Sequence, residues 1–468
     1  MPRTRCLLAA LLCCAPLCTA LAQTADGPDG GIAAAPDAGT PDDEALRKEL
    51  EKSLQQDARS TPAAQQTGST TSTSSTTPPS TGGPQGTMAR GTQSLNPDIS
   101  AIFDGNAGYE RRGVAYRNGD DPDLHGGPAS RGSGFTAQEV ELALSAIVDP
   151  YFRGDIFLTI PNLSGLEVEE AFATTTSLPY NLQAKVGSFR SAFGRQNGQH
   201  LHVQDFTRRP LLNAAFLGAD GLRGPGAEVS WLAPLPFYVV LYGEAFSLAA
   251  PDIPPGPDSP VDPVASFGGG SATDLTYAAE AKYFVPVGEE WSVYGGFNFA
   301  TGVSPGFLRA NDAGTFPGAG RRSDLFGADL YVKWKPPNVV QGYTSVAWQT
   351  EAVWRRLGNA GGIGEEWDGG LYSQVVVQVA RNWFIGVRGD VLGLPTSSVL
   401  GRTQRGSASL TWQGSEFARV RIYAETEHVG SGGGPFLPTA TAGAVPSTSF
   451  ATYLQVEYSI GAHGAHPF

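Results

Sequence analysis

The chain has 468 residues, 32 Lys and Arg against 45 Asp and Glu, and a formal net charge of −13 at pH 7. That balance excludes nucleic acid as a partner, since a phosphate-binding face needs clustered basic side chains. All four cysteines, Cys6, Cys13, Cys14 and Cys18, sit near the start, so the rest of the chain has no disulfides, thiolate metal ligands or cysteine nucleophile.

Arg3 and Arg5, the apolar run Cys6 to Leu17, and Ala20-Leu21-Ala22 predict a secretory signal peptide over residues 1–22, cleaved after Ala22. The run is too short to cross a hydrocarbon core of about 30 Å as a helix. Pro16 and Leu17 before Cys18 do not form a lipobox, so no lipid anchor is expected. Residues 23–95 are dominated by Ala, Asp, Gly, Pro, Ser, Thr and Gln, a composition that cannot bury a core and predicts a disordered periplasmic arm. One island stands out in it. Leu46, Leu50 and Leu54 recur every four residues behind Asp42 and Asp43, predicting a short helix over 42–58, either solvated or a small coiled coil.

From Asn96 onward the period becomes two. Val140, Leu142, Leu144, Ala146 and Val148 alternate with Glu139, Glu141, Ala143 and Ser145. Leu454, Val456, Tyr458 and Ile460 likewise alternate with Tyr453, Gln455, Glu457 and Ser459. A soluble sandwich would also alternate, so three further features matter. Segments of this kind number about sixteen, starting near residues 98, 136, 152, 166, 181, 226, 238, 274, 291, 323, 344, 370, 383, 404, 417 and 449. Their connections alternate between short, as at Asp149-Pro150 and Arg381-Asn382, and long, as from Gly194 to Gly224. Aromatic residues accompany the short turns: Tyr151, Phe152, Tyr180, Phe237, Tyr238, Trp291, Trp334, Trp383, Phe384 and Phe417.

An even strand count, short periplasmic turns, long outer loops and an aromatic girdle predict an all-β fold. The fold class expected is a single antiparallel transmembrane β-barrel of about sixteen strands over 96–468, in the bacterial outer membrane with both termini periplasmic. The terminal Phe468 fits recognition by the barrel assembly machinery.

The segments Asn96-Pro97-Asp98-Ile99-Ser100, Val148-Asp149-Pro150-Tyr151 and Val186 to Arg195 resemble a family of proteobacterial outer-membrane proteins. The likeness continues through Gln199-His200-Leu201-His202, Arg209-Pro210-Leu211 and Gly224 to Pro236. That family is similar to phosphate-selective porins of the O/P type, and some members are described as zinc-regulated TonB-dependent outer-membrane receptors. The resemblance implies a porin-like barrel. A TonB-dependent receptor carries a folded plug ahead of about 22 strands, which this sequence does not provide.

In porins a loop at about the place of Gly194 to Gly224 folds into the barrel and narrows it. Lys185, Arg190, Arg195, Arg208 and Arg209, with Asp205, are therefore the candidate constriction residues. Guanidinium groups hold phosphate or carboxylate by paired hydrogen bonds, which would favour anions. As solvated loop charges they would instead pair with Asp205 and Glu228. From Asn96 on there are 25 basic and 36 acidic residues, so selectivity stays open. His200 and His202 are candidate metal ligands. Asn118 to Asp123 is acidic enough for calcium but lacks the twelve-residue calcium-loop pattern.

No Gly-x-Ser-x-Gly elbow, phosphate-binding Gly-rich loop or His-Glu-x-x-His helix occurs, and His125, His428, His463 and His466 have no serine partner in view. The expectation is a non-enzymatic channel needing no cofactor. Its partners would be outer-membrane lipid, lipopolysaccharide and small solutes or ions, with a homotrimer as its assembly. The competing expectation is a receptor or zinc-uptake-related binding protein without a plug.

Overall fold

The computed structural model describes residues 97–111, 134–161, 163, 165–218, 220–248, 266–268, 274–304, 320–337, 344–359, 364–395, 402–430 and 447–461. The expected signal peptide, the arm with its helix, the acidic run 118–123, His125, His463, His466 and Phe468 lie outside the described residues.

Sixteen strands form the wall. The first eight are β1 (Asp98–Arg111), β2 (Gly134–Ile147), β3 (Phe152–Pro161), β4 (Glu167–Thr175), β5 (Leu182–Arg190), β6 (Arg223–Leu232), β7 (Tyr238–Phe246) and β8 (Thr276–Val287). The others are β9 (Trp291–Val303), β10 (Arg322–Trp334), β11 (Ser345–Leu357), β12 (Glu366–Ala380), β13 (Trp383–Leu392), β14 (Thr403–Ser415), β15 (Ala418–Val429) and β16 (Ser447–Gly461). Each pairs antiparallel with its neighbours in sequence, and β1 pairs with β16 from Ser100↔Gly461 to Arg111↔Phe450. Closure leaves no sheet edge, so the ladder can satisfy its backbone groups without water.

Side chains are sorted by the pleat. On β15, Arg421 is 1% exposed and the adjacent Ile422 53%; on β13, Arg388 is 4% exposed and Val387 54%. The alternation read on β2 and β16 falls on these two faces as expected, and Glu139, Glu141, Glu280, Lys282, Asp329 and Gln455 are buried inside. The exterior is apolar and the interior charged, the reverse of a soluble domain and the polarity that hydrocarbon demands.

The rim at the short turns is aromatic. Tyr151, Tyr180, Phe237, Trp291, Trp383 and Phe417 are all exposed, and Trp291 lies 6.4 Å from Trp334 between ring centroids. Phe384 departs from this set: it precedes buried Gly386 and Arg388 on the inner face of β13. A second band at the other rim includes Phe326, stacked at 6.1 Å on Trp367, with Phe299 5.3 Å away.

Register is broken at a few points, and two of them shape the interior. Between β1 and β2 the partner of Asp104 is Glu139 and that of Gly105 is Ala137, leaving Gln138 as an extra residue. Between β3 and β4, Phe157 pairs with Glu170 and Leu158 with Val168, which makes Glu169 the extra residue. A bulge puts two consecutive side chains on one face. Gln138 and Glu139 are accordingly both buried, and so are Glu169 and Glu170.

Candidate functional site

The connection between β5 and β6, residues 191–222, lies inside the barrel. Its helix α1 (Leu211–Leu217) is buried at all seven positions, with Leu211, Leu212, Phe216 and Leu217 packed on Leu325, Val353, Tyr372 and Leu392 of the wall. Pro210 pre-sets the turn into α1 but offers no side-chain cap, and Gly218 ends the helix at φ 100°, a conformation that favours glycine.

Polar contacts fasten this inner segment around the circumference. Ser191 and the Ala192 amide donate to Glu244 on β7, and the Gly194 carbonyl accepts from Lys282 on β8 at 2.9 Å. The Gln196 amide donates to Glu351 on β11 at 2.8 Å, and Thr207 Oγ1 donates to Gln455 on β16 at 3.0 Å. Arg208 bridges Glu110 on β1 and Glu425 on β15. The Arg209 carbonyl accepts from Arg405 on β14 at 3.2 Å.

The predicted constriction residues do not form one basic ring. Lys185 pairs with Glu228 at 3.0 Å and sits 4.9 Å over the Phe189 ring. Arg190 is buried on Glu169 and the Asp220 carbonyl. Arg208 turns to the opposite wall, toward Glu425 and Tyr453. Arg209 is 2% exposed, lies alongside Arg190, and has no hydrogen-bond partner for its Nη2 among the described residues. Burial and the Arg190 charge push the Arg209 pKa down to about 10. Arg195 stands apart, partly exposed, stacked at 4.0 Å on the Tyr331 ring and at 5.5 Å from Tyr294. Asp205 is exposed, with Gln374 Nε2 3.5 Å from its carboxylate.

His200 and His202 do come together, on a short 3-10 turn where both are buried. His200 Nε2 lies 2.8 Å from Glu170, and its Nδ1 3.1 Å from Glu141 and 3.4 Å from Glu169. His202 Nδ1 is 3.2 Å from the same Glu141 oxygen. Burial disfavours a charged imidazole at His200, yet Glu169 and Glu141 outweigh it and hold the proton well above the usual histidine range. One donor atom each from Glu141, His200 and His202 lies within 4.8 Å of the others, and Glu139, Glu141 and Glu169 form a second such group sharing Glu141. Sequence reading missed Glu169 and Glu170 as members. Their adjacency inside a strand, where a charged pair breaks the alternation, is the one signal that marks the bulge. His428, read without a serine partner, is on β15, exposed, 3.0 Å from Thr448 Oγ1.

A relative in Aquifex aeolicus (strain VF5), described as an uncharacterized protein, is 31% identical over 411 residues, covering 80% of each chain. The chain belongs to that protein's family. No family model matches it. Among solved structures, the anion-selective porin of Comamonas acidovorans aligns with TM-score 0.48 at 9% identity, covering 78% of this chain and 99% of that one. OmpT of Vibrio cholerae gives 0.47 at 9% identity, covering 78% and 97%, and OprB of Pseudomonas putida 0.42 at 11%, covering 78% and 94%.

Proposed function

We propose that this family member is an outer-membrane, porin-like channel through which small hydrophilic solutes or ions diffuse passively, the inner segment 191–222 setting the size cutoff. The observation that carries the reading is the polarity of the closed wall: apolar outside, charged inside, with a folded segment fastened within. Diffusion down a gradient then needs no catalysis, cofactor or energy source. Both chain ends would be periplasmic, since β1 begins and β16 ends at the rim of the short turns. A homotrimer is the assembly proposed, to be read by native electrophoresis in mild detergent.

Arg195 is the cation placed to meet a passing solute, because it is partly exposed while Lys185, Arg190 and Arg208 are paired with carboxylates and Arg209 is fully buried. A planar bilayer tests the channel. Discrete ohmic steps whose size changes when 211–217 is replaced by a flexible Gly-Ser stretch are expected. The anchoring of the inner segment to so many strands favours a second reading, a closed barrel that binds ligands at its loops; a folded but silent protein would establish it.

A further inference from the structure

We propose that Glu141, His200 and His202, completed by a carboxylate oxygen of Glu139 or Glu169, bind one divalent transition cation of the zinc class and clamp the inner segment to β2 and β4. Three observations converge. The donor atoms are gathered: His200 Nδ1 and His202 Nδ1 both face one Glu141 oxygen, at 3.1 and 3.2 Å. Two imidazole nitrogens and a carboxylate oxygen within 4.8 Å of one another can surround one cation, since tetrahedral zinc with bonds of roughly 2.0–2.2 Å sets its ligand atoms about 3.3–3.6 Å apart.

The second observation is an orphan. Glu141 is 1% exposed, and its Oε1 has no hydrogen-bond partner among the described residues, although its other oxygen lies between the two imidazoles. A buried carboxylate oxygen without a partner is costly, and a cation bound by that carboxylate would remove the cost. The third is the outer shell. With Nδ1 of His200 given to a metal, Nε2–H is left to donate to Glu170 at 2.8 Å, the carboxylate–histidine arrangement that orients a ligating imidazole.

Charge agrees. Glu139, Glu141, Glu169 and Glu170 are all buried here, with Arg190 on Glu169, Arg209 alongside and Arg223 on the Glu169 carbonyl and Asp220. Two imidazoles in the donor set select against calcium and magnesium, which take oxygen, and the absence of thiolates removes the soft-ligand alternatives. The clamp stands on the geometry of the inner segment, whether or not the barrel conducts.

Metal content tests it. The detergent-folded full-length protein is stripped with EDTA, offered zinc or cobalt(II), passed through gel filtration and analysed by mass spectrometry. Expected is about one equivalent per chain, with cobalt giving visible bands of low-symmetry nitrogen and oxygen coordination. The pair His200→Gln and His202→Gln should abolish retention, Glu170→Gln should weaken it by roughly 10–100-fold, and His428→Ala or the pair His463→Ala and His466→Ala should leave it unchanged. Failure of the wild type to retain metal, or retention that follows the C-terminal histidines, overturns the proposal. If the paired variant does not fold, the wild-type cobalt spectrum decides, and bands lacking imidazole coordination overturn it. Stoichiometry reads the site and conductance reads the channel, so either can fail alone.

Discussion

Asp390 of β13 caps a helix to which it does not belong: its Oδ1 accepts the Leu211 amide, in the first turn of α1, at 3.0 Å. The same carboxylate holds Arg388 at 3.0 Å, and Arg388 in turn donates to the Arg208 carbonyl at 2.8 Å. One wall residue thus supplies the cap that Pro210 cannot and orients a guanidinium that grips the chain just before the helix. Asp390→Ala should cost about 0.5–2 kcal/mol for the cap, and about 3–5 kcal/mol more for leaving Arg388 without its buried partner. A lower thermal transition in detergent, with larger current fluctuations in bilayers, is the expected result. An unchanged melt would show that the inner segment is held by packing alone.

Arg208 spans from Glu110 to Glu425, joining β1 and β15 across the strand between them. Arg208→Ala takes one buried cation from two buried carboxylates, a loss of about 3–5 kcal/mol. Arg208→Lys restores charge but not the fork, and should recover only part of it. Heat-modifiable mobility on gels reads the difference.

Arg195 is partly exposed, with its guanidinium on the Tyr331 face. Arg195→Glu should shift the reversal potential in asymmetric salt toward cations, while Arg190→Gln should move it far less, because Arg190 is already neutralised by Glu169. Equal shifts from both would place the narrowest point elsewhere.

The outer face offers an independent check. Val387 lies mid-strand on β13 and is 54% exposed. Val387→Arg should destabilise by about 2–4 kcal/mol if the position meets the bilayer midplane, measured by refolding into lipid vesicles. A neutral result would remove the membrane assignment.

Gly187 on β5 has φ +139°, and a Cβ there would stand 2.2 Å from the Ala171 carbonyl oxygen and 2.6 Å from Phe172 Cα. Gly187→Ala should therefore cost more than about 1 kcal/mol and loosen the β4–β5 pairing that presents Lys185. Hydrogen exchange at β4 would detect it.

The sequence by itself determined the wall. Period-two alternation is a local property, so the strand positions, the inward set such as Glu141 and Gln455, and the rings at the short turns could be read residue by residue. The expected starts at 98, 152, 238, 291 and 383 coincide with those of β1, β3, β7, β9 and β13. The tertiary structure decided what the interior does. Whether Glu169 joins Glu170 on the inside depends on a bulge between β3 and β4, which is a matter of register between two chains of residues and not of either alone. Which carboxylate neutralises which guanidinium depends on the path of the inner segment across the lumen: Arg208 finds Glu425, 217 residues away, and His200 finds Glu141, 59 residues away. Glu228, expected as a partner, does take Lys185, but Asp205 is exposed beside Gln374: buried charges pair with what closure brings within reach, and sequence distance does not measure that.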